Sequence, residues 1–180
     1  TEIKDYAFKS CTKLTSVAIP DRVTKLGTYV FQSCTGLESA KIGGGVTSVP
    51  NYMFHGCTNL VNVELSEKVT SIGNSAFYNC KGLKSLPVTE SITSIGTNAF
   101  YGCTSLTSVN LSDKVTSLGA SAFYNCSSLT EAVLGTGITT LGSSLFRNDA
   151  KLKKVVVNGK IASVSTYTFY GCFFLGGFFF

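Results

Sequence analysis

The pentapeptide Ala76–Cys80, AFYNC, returns unchanged at Ala122–Cys126, and AFYGC stands between them at Ala99–Cys103. A catalytic cysteine occurs once in a chain, and zinc ligands converge in close pairs such as C-x-x-C. Neither rule places one Phe and one Cys at a fixed interval. Followed outward, Phe8, Phe31, Phe54, Phe77, Phe100, Phe123, Phe146 and Phe169 stand 23 residues apart without an insertion. Leu14 to Leu175 keep the same step, as do Cys11, Cys34, Cys57, Cys80, Cys103 and Cys126; Asp149 then takes the Cys slot and Cys172 resumes it. Registered repetition at this period is the signature of a solenoid.

Within a unit, LTSVNL (Leu106–Leu111) places Val109 and Leu111 two apart, the spacing of a strand with one buried face. KVTSLG (Lys114–Gly119) offers a second short extended piece, Gly119 punctuates, and ASAFYNC (Ala120–Cys126) has room for one helical turn. No unit this small buries its own apolar side, so neighbours stack and share a core, with equivalent strands parallel and ~4.8 Å apart. The expected fold is therefore an α/β, β-rich solenoid of eight 23-residue coils. A parallel β-sheet runs along one side, with short second strands or helical turns opposite, and residues 1–180 form one domain. The Phe column is internal, each ring contributing ~2–3 kcal/mol by burial.

Composition narrows the function. Of 180 residues, 44% are hydrophobic, enough for a real core, whereas only 14% are charged. The net charge of +5 is a mild excess, and its densest cluster (Lys151, Lys153, Lys154, Lys160) reads as solvated surface rather than a nucleic-acid face. The longest apolar run, CFFLGGFFF at Cys172–Phe180, is half of the ~18 residues that span a bilayer. No signal peptide opens the chain and no Met stands first, so a piece of a longer repeat protein is expected.

The L-x-x-V-x-L half of the unit falls in the leucine-rich-repeat range of periods. Its other half, V-T-S-I-G-x-x-A-F-x-x-C, carried by Ala76–Phe77–Cys80, Ala99–Phe100–Cys103 and Ala122–Phe123–Cys126, resembles the BspA-like leucine-rich-repeat family over essentially the whole chain. That resemblance implies a cell-surface or secreted protein that adheres to proteins or glycans on host or neighbouring cells. Departures are Pro50 and Ser165 in the Gly slot, Asp149 in the Cys slot, and the terminal FFLGGFFF. In the tail, Phe178 and Phe180 fall where Val and Leu belong and could complete a last apolar rung. The end has no polar cap, so end-to-end self-association through this coil is a further expectation.

Seven cysteines invite metal or disulfide readings. Side chains stacked in parallel point the same way, which favours a column of buried free thiols over adjacent-rung disulfides. Asp149 either turns outward or caps a local turn. His55, alone of its kind, falls in a slot expected to be exposed, and no nucleophile–base pair can be built on it. Gly43–Gly45 lacks the Lys-Ser/Thr of a phosphate loop. No enzyme activity, cofactor or metal is expected.

The tyrosines change slot. Tyr6, Tyr29 and Tyr52 precede their Phe by two, Tyr78, Tyr101 and Tyr124 follow it by one, and Tyr167 and Tyr170 do both. They shield the Phe column or present a contact stripe. The ligand-binding face is expected on the outward positions of the parallel sheet: Ser39, Lys41, Asn62, Glu64, Ser85, Ser108, Asn110, Glu131 and Lys154, with Pro87 also facing out. These residues are small, mixed and without an aromatic anchor, which suits multivalent adhesion better than one tight contact. Asn110 and Asn125 match the glycosylation acceptor pattern. A structural spacer or intracellular scaffold without a dedicated ligand is the alternative.

Overall fold

The computed structural model describes residues 1–179 as a stack of coils with the 23-residue register of the sequence. One side carries the longer strands β2 (Ser16–Ile19), β4 (Ser39–Ile42), β6 (Asn62–Leu65), β9 (Ser108–Asn110), β11 (Glu131–Leu134), β13 (Lys154–Val157) and β15 (Gly177–Phe179). The other carries two-residue strands: β1 (Glu2–Ile3), β3 (Lys25–Leu26), β5 (Ser48–Val49), β7 (Ser71–Ile72), β8 (Ser94–Ile95), β10 (Ser117–Leu118), β12 (Thr140–Leu141) and β14 (Ser163–Val164). Every pairing is parallel and joins equivalent residues, as in Ser16↔Ser39↔Asn62 and Ser108↔Glu131↔Lys154. One pattern repeated at a constant period leaves no other register that keeps all apolar positions inside.

The core is a set of columns. Phe31, Phe54, Phe77, Phe100, Phe123 and Phe146 are fully buried, with neighbouring rings 5.4 to 5.6 Å apart at Phe54–Phe77 and Phe100–Phe123 and nearly parallel. Leu37, Leu60, Leu83, Leu106, Leu129 and Leu152 form a second fully buried column. At the ends the columns meet solvent: Phe8 is 41% exposed, and Phe173 and Phe174 of the tail are 82% and 65% exposed. Phe178 does enter the last rung, in register with Val155 and 5.2 Å from the Phe169 ring; Phe180 lies outside the described residues.

The helical turn expected at ASAFYNC is not formed: among the described residues there is no helix, and the α/β description gives way to a β-solenoid. The reason is a backbone alternation. Two residues before each Phe, at Tyr6, Tyr29, Tyr52, Ser75, Asn98, Ser121, Ser144 and Tyr167, φ is positive. Two after, at Ser10, Ser33, Gly56, Asn79, Gly102, Asn125, Asn148 and Gly171, it is positive again. Left-handed residues four apart cannot belong to a right-handed helix. Instead the N–H groups alternate in their targets. Those of Ala76, Tyr78 and Cys80 close turns to Gly73, Ser75 and Phe77, while those of Ser75, Phe77 and Asn79 reach the next coil at Thr97, Ala99 and Tyr101. Positive φ at the third residue of the Gly73–Ala76 and Phe77–Cys80 turns is the type II signature, which Asn and Gly supply at least cost.

Prolines divide the sheets. In coil four, residues 84–88 enter neither long-strand sheet and make no backbone hydrogen bond, so β2–β4–β6 and β9–β11–β13–β15 are separate. Pro87 has no N–H for the ladder. It is buried, not outward as expected, with Leu86 and Val88 half-exposed on either side. Pro50 acts similarly on the other face. Gly27, Gly73, Gly96 and Gly119 each donate N–H to the preceding coil, Pro50 cannot, and β3 does not pair with β5; β10 and β12 also do not pair with each other, at Gly142, where no proline stands.

Candidate functional site

The expected binding residues fall into two patches because of the coil-four break. Ser39, Lys41, Asn62 and Glu64 stand on β4 and β6; Ser108, Asn110, Glu131 and Lys154 stand on β9, β11 and β13. Ser85 is exposed but belongs to no strand. In each patch the opposite charges find one another, Lys41 Nζ 3.0 Å from Glu64 and Lys154 Nζ 2.9 Å from Glu131. Both pairs are solvent-exposed, so each contributes less than about 1 kcal/mol. Lys41 and Glu64 also border an open groove of about 670 Å³ lined by the Gly43–Gly45 turn and by Asp21, Glu67 and Lys68. Asn110 and Ser108 border a smaller one, about 260 Å³, beside Leu86 and Glu90 of the unpaired segment.

A second surface feature was only half legible in the sequence. The two tyrosine slots merge into one stacked stripe. Tyr6, Tyr29 and Tyr52 stack at 4.9 and 4.4 Å, and His55, Tyr78, Tyr101 and Tyr124 at 4.7, 4.6 and 4.5 Å. Tyr52 meets His55 at 6.0 Å, where the stripe changes slot. His55 is therefore not the freely exposed residue expected. It is half-buried between aromatic rings, which lowers its pKa, and its Nδ1 has no hydrogen-bond partner. Arg147 occupies the next position, with its guanidinium 5.6, 5.1 and 5.0 Å from the Tyr124, Tyr167 and Tyr170 rings. The signal for Arg147 was its place in the column that holds tyrosine in neighbouring coils, since a guanidinium plane continues a ring stack. Within the stripe Tyr29, Tyr52, Tyr78, Tyr101 and Tyr124 are half-buried, whereas Tyr6, Tyr167 and Tyr170 at its ends are exposed.

The thiols form a column with a defined polar role. All seven cysteines are free; Cys34 to Cys126 are buried, Cys172 half-buried and Cys11 exposed, so the expectation of burial fails at Cys11. Each inner thiol donates to the Phe carbonyl of the preceding coil, as Cys80 to Phe54 at 3.1 Å and Cys103 to Phe77 at 3.2 Å. Burial pushes the Cys57 thiol up to about 12 and raises those of Cys80, Cys103 and Cys126 well above the ordinary thiol value, leaving them un-ionised and poor nucleophiles at neutral pH. Native protein treated with a thiol-specific disulfide reagent is expected to show one fast-reacting cysteine, Cys11, a slower Cys172, and five that react only on unfolding. Rapid reaction of four or more would rule out the packed column.

Asp149 does not turn outward, as one of its two expected placements had it. It is fully buried in the thiol slot, and its Oδ1 accepts the Cys126 N–H at 2.7 Å. Among the described residues no His/Cys/Asp/Glu cluster has metal-binding geometry, and no helix is long and apolar enough to cross a membrane.

Comparison with known proteins places these features. The profile described as BspA type leucine rich repeat region matches residues 1–104 and 47–176, in six copies. A T. pallidum leucine rich repeat protein of known crystal structure is 27% identical with a TM-score of 0.86, the match covering 97% of this chain and 82% of that one. A leucine-rich repeat protein from Bacteroides ovatus is 28% identical with a TM-score of 0.87, covering 97% of this chain and 47% of that one. The pneumococcal vaccine antigen PcpA shares the fold at 21% identity and a TM-score of 0.59, over 89% of this chain and 49% of its own. No curated protein matches the chain.

Proposed function

Because the chain belongs to the BspA-type leucine-rich-repeat family, we propose that it is a non-catalytic binding module that adheres, at a cell surface, to proteins or glycans of host or neighbouring cells. Repeat proteins of this fold are generally non-enzymatic and bind proteins. The observation that supports the sheet face as the contact surface is its charge arrangement. Lys41 and Glu64, and Glu131 and Lys154, are mutually neutralised and lie beside small polar residues at a period near 4.8 Å. Such a surface offers a partner many similar weak contacts and no single anchor, and affinity then comes from simultaneous engagement. Ser39, Asn62, Ser108 and Asn110 are the polar members of this face, and Ser85 is exposed in the unpaired coil between its two patches.

The combined variant Lys41→Ala, Glu64→Ala, Asn110→Ala tests the reading on immobilised epithelial cells and matrix proteins. Exposed positions of this kind change stability by less than about 1 kcal/mol, so the fold is retained. Expected is a loss of cell-bound protein of roughly tenfold, spread over the three positions. Undiminished binding to every surface that the unaltered chain binds would overturn the sheet-face site. Absence of binding by the unaltered chain would instead favour the spacer reading.

A further inference from the structure

The seventh coil places a carboxyl where every other coil has a thiol, and two polar atoms there lack the partners their equivalents have. The carbonyls of Phe8, Phe31, Phe54, Phe77, Phe100 and Phe146 each accept two bonds: an N–H from three residues on and a thiol from the next coil. The Phe123 carbonyl accepts neither. The N–H that would reach it, from Cys126, has gone to Asp149 Oδ1, and the residue that would supply the thiol is Asp149 itself. Asp149 Oδ2, meanwhile, is buried and without a partner. Two acceptors thus stand unsatisfied in one slot, and a single proton between them satisfies both.

We propose that Asp149 is held as the neutral acid, Oδ1 accepting the Cys126 N–H and the Oδ2 proton donated to the Phe123 carbonyl, so that the joint between coils six and seven closes on uptake of a proton and loosens when the carboxyl ionises. The groups around it support this assignment. The titratable groups facing it are the Cys126 and Cys172 thiols of the coils on either side, both un-ionised because burial raises them. Arg147, two residues before it, is occupied by Tyr124, Tyr167 and Tyr170. Among the described residues no lysine, arginine or histidine forms an ion pair with Asp149. A carboxylate there would have only one N–H against the loss of water, and burial accordingly lifts Asp149 from 3.8 to about 9. The joint is thus tightened by acid, opposite in sign to a carboxylate held in an ion pair.

Asp149→Asn separates the neutral from the ionised assignment. The amide keeps Oδ1 for Cys126 and offers Nδ2–H to Phe123, yet cannot titrate. Between pH 4 and 9 the unfolding constant of the natural chain is expected to rise about tenfold per pH unit relative to the Asn variant. At pH 7 the Asn variant is the more stable of the two. In the infrared, the natural chain at pH 7 shows one protonated-carboxyl stretch that the variant lacks. Parallel pH profiles, or an Asn variant less stable than the natural chain at pH 7, would overturn the proposal. If the Asn variant fails to fold, the infrared band alone decides, and its absence at pH 7 would be equally fatal.

Discussion

Phe100→Ala is expected to lower the unfolding free energy by about 3–5 kcal/mol, the range for truncating a buried Phe in a core that cannot collapse around the gap. The ring is fully buried and stacks between Phe77 at 5.2 Å and Phe123 at 5.6 Å, with interplanar angles of 2° and 4°. Collapse is blocked because the coil spacing is set by backbone hydrogen bonds on both sides, Phe77 N–H to Ala99 and Phe100 N–H to Ala122. In a solenoid each coil is stabilised only by its neighbours, so the cavity weakens two interfaces in the middle of the stack. For a chain of this size the melting temperature should fall by roughly 10 °C. Phe8→Ala provides the internal comparison. That ring is 41% exposed and stacks on one side only, at 5.3 Å from Phe31. It should cost less than about 1.5 kcal/mol. Thermal unfolding of the two variants side by side checks the column; equal losses would mean that the central rings are not packed as described.

Asp149→Cys is expected to stabilise the protein at pH 7 by about 4 kcal/mol. Such a gain from one substitution is unusual, and its origin is proton linkage. In the unfolded chain Asp149 ionises near 3.8; in the folded chain burial delays this to about 9. Between those values the folded state holds one more proton than the unfolded state. Stability from this residue is therefore complete below about pH 4, falls by about 1.4 kcal/mol per pH unit, and is lost at about pH 9. Cysteine removes that dependence. It also returns the Cys126 N–H and a thiol to the Phe123 carbonyl, the arrangement of the other coils. Denaturant titrations at pH 4, 7 and 9 should show the two proteins converging in acid and separating as pH rises. A constant difference across that range would place the effect in packing instead of ionisation.

The residues proposed for binding were readable because alternation along a strand decides which side chains face out, and Lys41, Asn62, Glu64, Asn110 and Lys154 do face out. The division of that face was not readable. It depends on Pro87 turning inward and on residues 84–88 pairing with neither β6 nor β9. The tyrosine stripe was legible as two columns. Its continuity required the contact of Tyr52 with His55 and the seating of Arg147 among three rings.

By itself the sequence determined the period, the Phe, Leu and Cys columns, the parallel register and the stacked core, because each is a translational property repeated in every coil. Tertiary structure alone decided that AFYNC forms linked turns instead of a helix, that Asp149 points inward, and that six Phe carbonyls each accept a thiol from the next coil. The physical reason is the same throughout. The deciding hydrogen-bond partners lie 22 to 26 residues away, beyond the reach of any local propensity and next door only after the coils have stacked.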